Sequence, residues 1–178
     1  MIMNGSDIKL CGEKVAIFID SHNTHKAQRL LGFRLDYQKL QQYLINLGED
    51  IYHFRTYIYI PCGRDDHSQS KFADAMENLH WRVLRKDQVL LDGEPKANVD
   101  VEITVDMVSL AHQSAFTVAY LVSGDNDLVP AVEHIQNLGL RVFVVSTTKG
   151  DSPIAGLKLR KVADGFIDLS EVRQKVAS

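Results

Sequence analysis

Two runs of consecutive apolar residues, 15–19 (Val-Ala-Ile-Phe-Ile) and Val118–Val122, constrain the fold more than any other feature of the chain. Strands with no polar alternation are covered on both faces, and such strands belong to parallel sheets with helices above and below. The first run leads directly into Asp20, and the second leads through Ser123 and Gly124 into Asp125. The carboxyl ends of parallel strands share one edge, so the two carboxylates emerge together. That is the edge where open α/β sheets hold their ligands.

Hydrophobic periodicity places the remaining elements. The polar stretch 20–32 reads as partly helical. Tyr37, Leu40, Tyr43, Leu44 and Leu47 stand at helical spacing and predict a helix over 36–47, closed by Gly48. A strand over 51–60 precedes a helix over 66–79, and short strands are expected at 81–84 and 89–91. A helix over 99–112 leads to the second apolar run. Beyond it come a helix ending at Leu138 before Gly139, a strand over 141–145, a short helix over 154–163 and a strand over 166–169. This alternation predicts a three-layer α/β/α Rossmann-like sandwich around a mainly parallel sheet. A length of 178 residues, 45% of them hydrophobic, suits one domain. It is expected over 14–172, between an N-terminal tail, 1–13, and a C-terminal tail, 173–178.

Asp127 stands two residues beyond Asp125, and Asp100 opens the helix over 99–112. Carboxylates gathered this closely repel one another and take up protons unless a cation offsets the repulsion. Oxygen donors suit Mg²⁺ or Mn²⁺, which keep several waters and also bind phosphate. That chemistry serves phosphodiester hydrolysis. Each residue also has a purely structural role open to it: Asp127 as a helix cap, Asp100 as a complement to its helix dipole. Asp106 lies about 120° around the helix from Asp100, and it and Ser123 are the weaker candidates, beside the site rather than in it.

A formal charge of -3 and a pI near 6.1 leave nucleic-acid contact to a local patch. Lys149, Lys158, Arg160 and Lys161 follow the strand over 141–145 and form such a patch, although a solvated helix and loop would look the same. Phe33, Tyr37 and Phe116 are expected in packing rather than base stacking. His22 and His25 lack the further His or Cys that a transition-metal site needs. Cys11 and Cys62 are too far apart in sequence to suggest a zinc knuckle or disulfide framework. Neither Gly-x-Gly-x-x-Gly nor a P-loop is present. No apolar run is long enough to span a bilayer, so the expected location is the cytoplasm, without membrane partners.

Four motifs taken in order carry a family resemblance: 19–23 (Ile-Asp-Ser-His-Asn), 99–107 (Val-Asp-Val-Glu-Ile-Thr-Val-Asp-Met), 121–128 (Leu-Val-Ser-Gly-Asp-Asn-Asp-Leu) and 163–169 (Ala-Asp-Gly-Phe-Ile-Asp-Leu). Over about residues 14–172 the chain resembles the NYN domains of the LabA-like group, relatives of PIN-domain ribonucleases. The resemblance implies a PIN-like sheet of strand order 3-2-1-4-5. It also implies metal-binding or catalytic roles for Asp20, Asp100, Asp125 and Asp127, with Asn23 positioning a metal ligand, water or substrate. The chain has Lys96-Ala97-Asn98-Val99-Asp100 where the family often has Lys-Gly-Val-Asp; Asn98 is expected to adopt the left-handed turn in place of the glycine. The resulting expectation is a Mg²⁺- or Mn²⁺-dependent ribonuclease acting on RNA, with a homodimer compatible with the sequence. The alternatives are a non-catalytic module that binds nucleic acid or nucleotide, and a phosphohydrolase of small substrates.

Overall fold

The structure is a computed structural model describing residues 10–63, 67–91, 94–96, 98–150 and 154–178, with backbone alone at 89–91 and 94–96. The first apolar run forms β1 (Lys14–Asp20), buried from Val15 onward. With β2 (Tyr52–Cys62), β3 (Arg82–Asp87), β6 (Val118–Val122), β7 (Arg141–Ser146) and β8 (Gly165–Asp168) it makes a six-stranded sheet of order β3-β2-β1-β6-β7-β8. Every pairing in it is parallel. Counted along this sheet the order is 3-2-1-4-5 with a sixth strand added at the β7 edge. Strand order reverses between β1 and β6, the two strands that lead to Asp20 and Asp125.

The period of two along β1 divides the core. Val15, Ile17 and Ile19 face one layer: α1 (Ser21–Leu31), α2 (Tyr37–Ile45), α3 (His67–Asn78) and α7 (Arg173–Val176). Ala16 and Phe18 face the other, with Ile103 and Met107 of α4 (Asp100–His112), Val132 and Ile135 of α5 (Val129–Asn137), and Leu159 of α6 (Leu157–Val162). Phe18 stacks on Tyr57 and meets Phe116 edge to face. Burying a side chain of this size contributes about 1.5–3 kcal/mol.

Several local expectations are corrected. The partly helical stretch is a full helix, α1, stopped by Gly32 at φ 68°. Gly48 does not close α2 in a left-handed turn; α2 ends at Ile45 with Asn46 as its cap. A Cβ at Gly48 would instead run into Ile51 and Leu10, so close approach explains the glycine. The strand at 89–91 exists as β4 (Val89–Leu91), but it pairs antiparallel with β5 (Glu94–Lys96) in a ribbon outside the main sheet.

Residues 173–178 are not a trailing tail. Val176 is fully buried, Ala177 bridges to Leu35, and Ser178 donates its N–H to the Arg34 carbonyl. At the other end Leu10 is buried and Cys11 bridges to Glu49, while residues 1–9 of the expected N-terminal tail lie outside the described residues. No described helix is long and apolar enough to cross a membrane.

Candidate metal centre

The centre is assembled where β1 and β6 end side by side. Asp20 leaves β1 in an extended conformation and caps α1, accepting the Asn23 N–H at 3.0 Å. Its other carboxylate oxygen accepts the Ser123 hydroxyl at 3.2 Å, and Ser123 Oγ in turn accepts the Asp125 N–H at 3.3 Å. Asn23 reaches back across the same gap, its Oδ1 accepting the Gly124 N–H at 2.8 Å. These bonds fasten the first turn of α1 to the loop after β6.

That loop turns sharply because Asp125 caps a 3-10 turn (Asn126–Leu128), accepting the Asp127 N–H at 3.0 Å. The turn folds Asp127 back beside Asp125. From the neighbouring helix comes Asp100, the first residue of α4, whose own N–H is held by Asn98 Oδ1 at 2.8 Å. One carboxylate oxygen from each of Asp100, Asp125 and Asp127 lies within 4.8 Å of the other two. Asp100 and Asp125 are half-buried and Asp127 is exposed.

The electrostatics follow from this crowding. The Asp100 carboxyl is pushed up to about 6, first by lost hydration and then by the charges of Asp125, Asp20 and Asp127. Burial also raises Asp20, partly offset by the Asn23 N–H and the Ser123 hydroxyl. A hard divalent cation would relieve both effects. The converging donors are all carboxylate oxygens, the set that Mg²⁺ and Mn²⁺ prefer.

Three of the four predicted aspartates therefore converge, and Asp20 lies buried beside them with both its oxygens accepting hydrogen bonds. Asn23 is occupied with Gly124. Asp106 lies outside the trio and accepts the Tyr59 hydroxyl at 2.9 Å, tying α4 to β2. Asp127 does not cap α5, which begins after Leu128 without a side-chain cap. Asp100 does lie in the first turn of its helix. The Asn98 side chain takes part in the turn, its Oδ1 accepting the Asp100 N–H. Ala97 and the Lys96 side chain lie outside the described residues.

Gly150, next to Lys149, packs toward Leu30 of α1 in one layer, whereas Lys158 and Lys161 stand exposed on α6 in the other. Arg160 is half-buried over the Phe166 ring. Tyr37 packs on Phe72 and Trp81, Phe116 is buried, and Phe33 lies under Arg173. His22 and His25 are exposed on α1, outside the carboxylate trio. Cys11 and Cys62 are not joined in a disulfide.

The supporting glycines and Asn126 escape a reading of the sequence. A Cβ on Gly124 would collide with the backbone of Ile154, and one on Gly156 with the side chain of Asn126. Asn126 Oδ1 accepts the Leu159 N–H at 3.1 Å, and Gly156 donates to the Gly124 carbonyl at 2.7 Å. The loops after β6 and β7 are thus pressed together. The adjacent glycine and asparagine around Asp125 were the available signal.

Comparison with known proteins points one way. The NYN domain family matches residues 14–170. The chain is 32% identical to the low amplitude and bright protein LabA of Synechococcus elongatus over 167 residues, covering 90% of this chain and 86% of that protein. An uncharacterised protein of Methanocaldococcus jannaschii is 27% identical over 162 residues, 89% of this chain but only 56% of that protein. Among solved structures, a Vibrio parahaemolyticus protein of unknown function superposes with a TM-score of 0.73 at 25% identity, covering 88% of this chain and 93% of that one.

Proposed function

The chain belongs to the NYN domain family, within the PIN-like nuclease superfamily, and on that premise we propose that it is a metal-dependent ribonuclease. The observation that carries the proposal is the convergence of Asp100, Asp125 and Asp127 at the point where strand order reverses. These three residues would hold Mg²⁺ or Mn²⁺. When bound, such an ion supplies an activated water and offsets charge on the phosphodiester. Asp20 adds negative charge from below, and Ser123 fixes Asp20 and the Asp125 backbone relative to one another. Asn23 keeps the Gly124 backbone in place, so the carboxylates are set before any substrate arrives. Lys149, Lys158 and Lys161 are exposed cations available to phosphates, and Arg160 packs over the Phe166 ring.

Single-stranded RNA of mixed sequence, incubated with Mn²⁺, Mg²⁺ or chelator, tests the proposal. Cleavage should require the metal and should vanish in Asp125→Asn. Retained cleavage in that variant overturns the assignment. If RNA is bound but never cut under any condition, the protein is a binding module; turnover of small phosphoesters alone identifies a phosphohydrolase.

A further inference from the structure

Between Asp20 and Asp36 the chain carries no acidic residue, although acidic residues outnumber Lys and Arg over the whole sequence. The stretch is mostly α1. Its buried positions, Ser21, Asn23, Thr24 and Ala27, face the sheet. His22, His25, Lys26 and Arg29 are all exposed, and at 100° per residue they fall on one strip about 100° wide. The strip starts two residues after Asp20. From His22 to Arg29 it runs about 10 Å along the helix axis.

The cations on this strip have no carboxylate partner among the described residues. Among the described residues Lys39, Arg85, Lys86 and Arg141 have carboxylate partners, and Arg55, Arg160, Arg173 and Lys175 lie over aromatic rings. Lys26 and Arg29 have neither. At the far end of α1, Gly150 approaches the Leu30 side chain, which brings the loop carrying the exposed Lys149 against the same helix. An acidic centre repels a polyanion, so a strand must be drawn in by positive charge nearby, and phosphate contacts are what fix its register. The strip has no Phe, Tyr or Trp on which bases would stack, so it reads backbone rather than sequence.

We propose that the exposed face of α1, His22, His25, Lys26 and Arg29, with Lys149 against its far end, is the track that holds the sugar-phosphate backbone of a single-stranded nucleic acid beside the acidic centre. The track rests on the nuclease assignment for its purpose, but it is tested without turnover. In full-length Asp125→Asn protein with chelator, binding of a fluorescein-labelled 12-nucleotide RNA is followed by anisotropy across a salt series. Adding Lys26→Glu and Arg29→Glu should weaken binding at least tenfold at low salt. It should also make the log–log salt slope shallower by about 1–2. The control pair Lys71→Glu and Arg82→Glu changes charge equally, at exposed positions on α3 and the β3 edge, and should change binding less than twofold. Equal losses in the two pairs, no loss in the α1 pair, or no binding by the Asp125→Asn background would each overturn the track. Metal-dependent cleavage by the parent protein would still stand or fall separately.

Discussion

Asp100 is the residue whose titration reports the site. Its folded carboxyl, about 6, lies above the ordinary 3.8, so the folded state holds that proton more tightly than the unfolded chain. The resulting stabilisation is present below the ordinary value and is lost as pH rises through about 6. Burial of Asp20 acts in the same direction. Melting of the protein in chelator should therefore show a falling Tm from about pH 4 to pH 6, and Asp100→Asn should flatten the decline. Mn²⁺, competing with the same proton, should bind more tightly across that window, measurable by titration calorimetry. Ser123 tests the supporting hydrogen bonds. Ser123→Ala removes the donor to Asp20 and the acceptor for the Asp125 N–H, and should cost about 1 kcal/mol of stability. It should weaken Mn²⁺ binding by about 10–100-fold, the usual effect of losing a group that orients a metal ligand. Unchanged affinity would show that Asp20 and Asp125 are fixed by other contacts.

Among the elements, the loops after β6 and β7 behave as one unit. Gly124 has no room for a side chain because the Ile154 backbone lies against it, and Gly156 meets Asn126 in the same way. Gly124→Ala must push the 154–156 segment away, an overpacking strain of about 1–3 kcal/mol. The expected result is a Tm lower by several degrees, with activity reduced further because Asp125 and Asp127 follow directly in the chain. A variant as stable and active as the parent would mean that the loop yields without moving the carboxylates. Helix α4 is held in a similar way from its side: the Tyr59 hydroxyl binds Asp106 six residues along from Asp100. Asp106 thus serves the element that presents Asp100, although it is not part of the carboxylate trio.

At the scale of the whole molecule, binding of a metal at the proposed site would be linked to folding, because the unfolded chain does not bring Asp100 and Asp125 together. A hundredfold excess of Mn²⁺ over its Kd should stabilise the protein by about 2.7 kcal/mol. For a chain of this size that is a Tm increase of roughly 5–10 °C. Asp125→Asn should abolish most of this increase; an equal increase would place the ion elsewhere. The sequence by itself determined the elements whose signal is local. The unbroken apolar runs of β1 and β6 declared a buried parallel sheet, and their following aspartates declared the edge where the carboxylates gather. Matters decided by distant neighbours could not be read that way. Gly48 is small because of Leu10 and Ile51, and residues 173–178 are anchored by burial of Val176. Asn23 and Ser123 acquire their partners across more than a hundred residues of chain. Side-chain periodicity records which face a residue buries, whereas a contact between loops depends on where the sheet brings two separate strand ends, and only the tertiary structure fixes that.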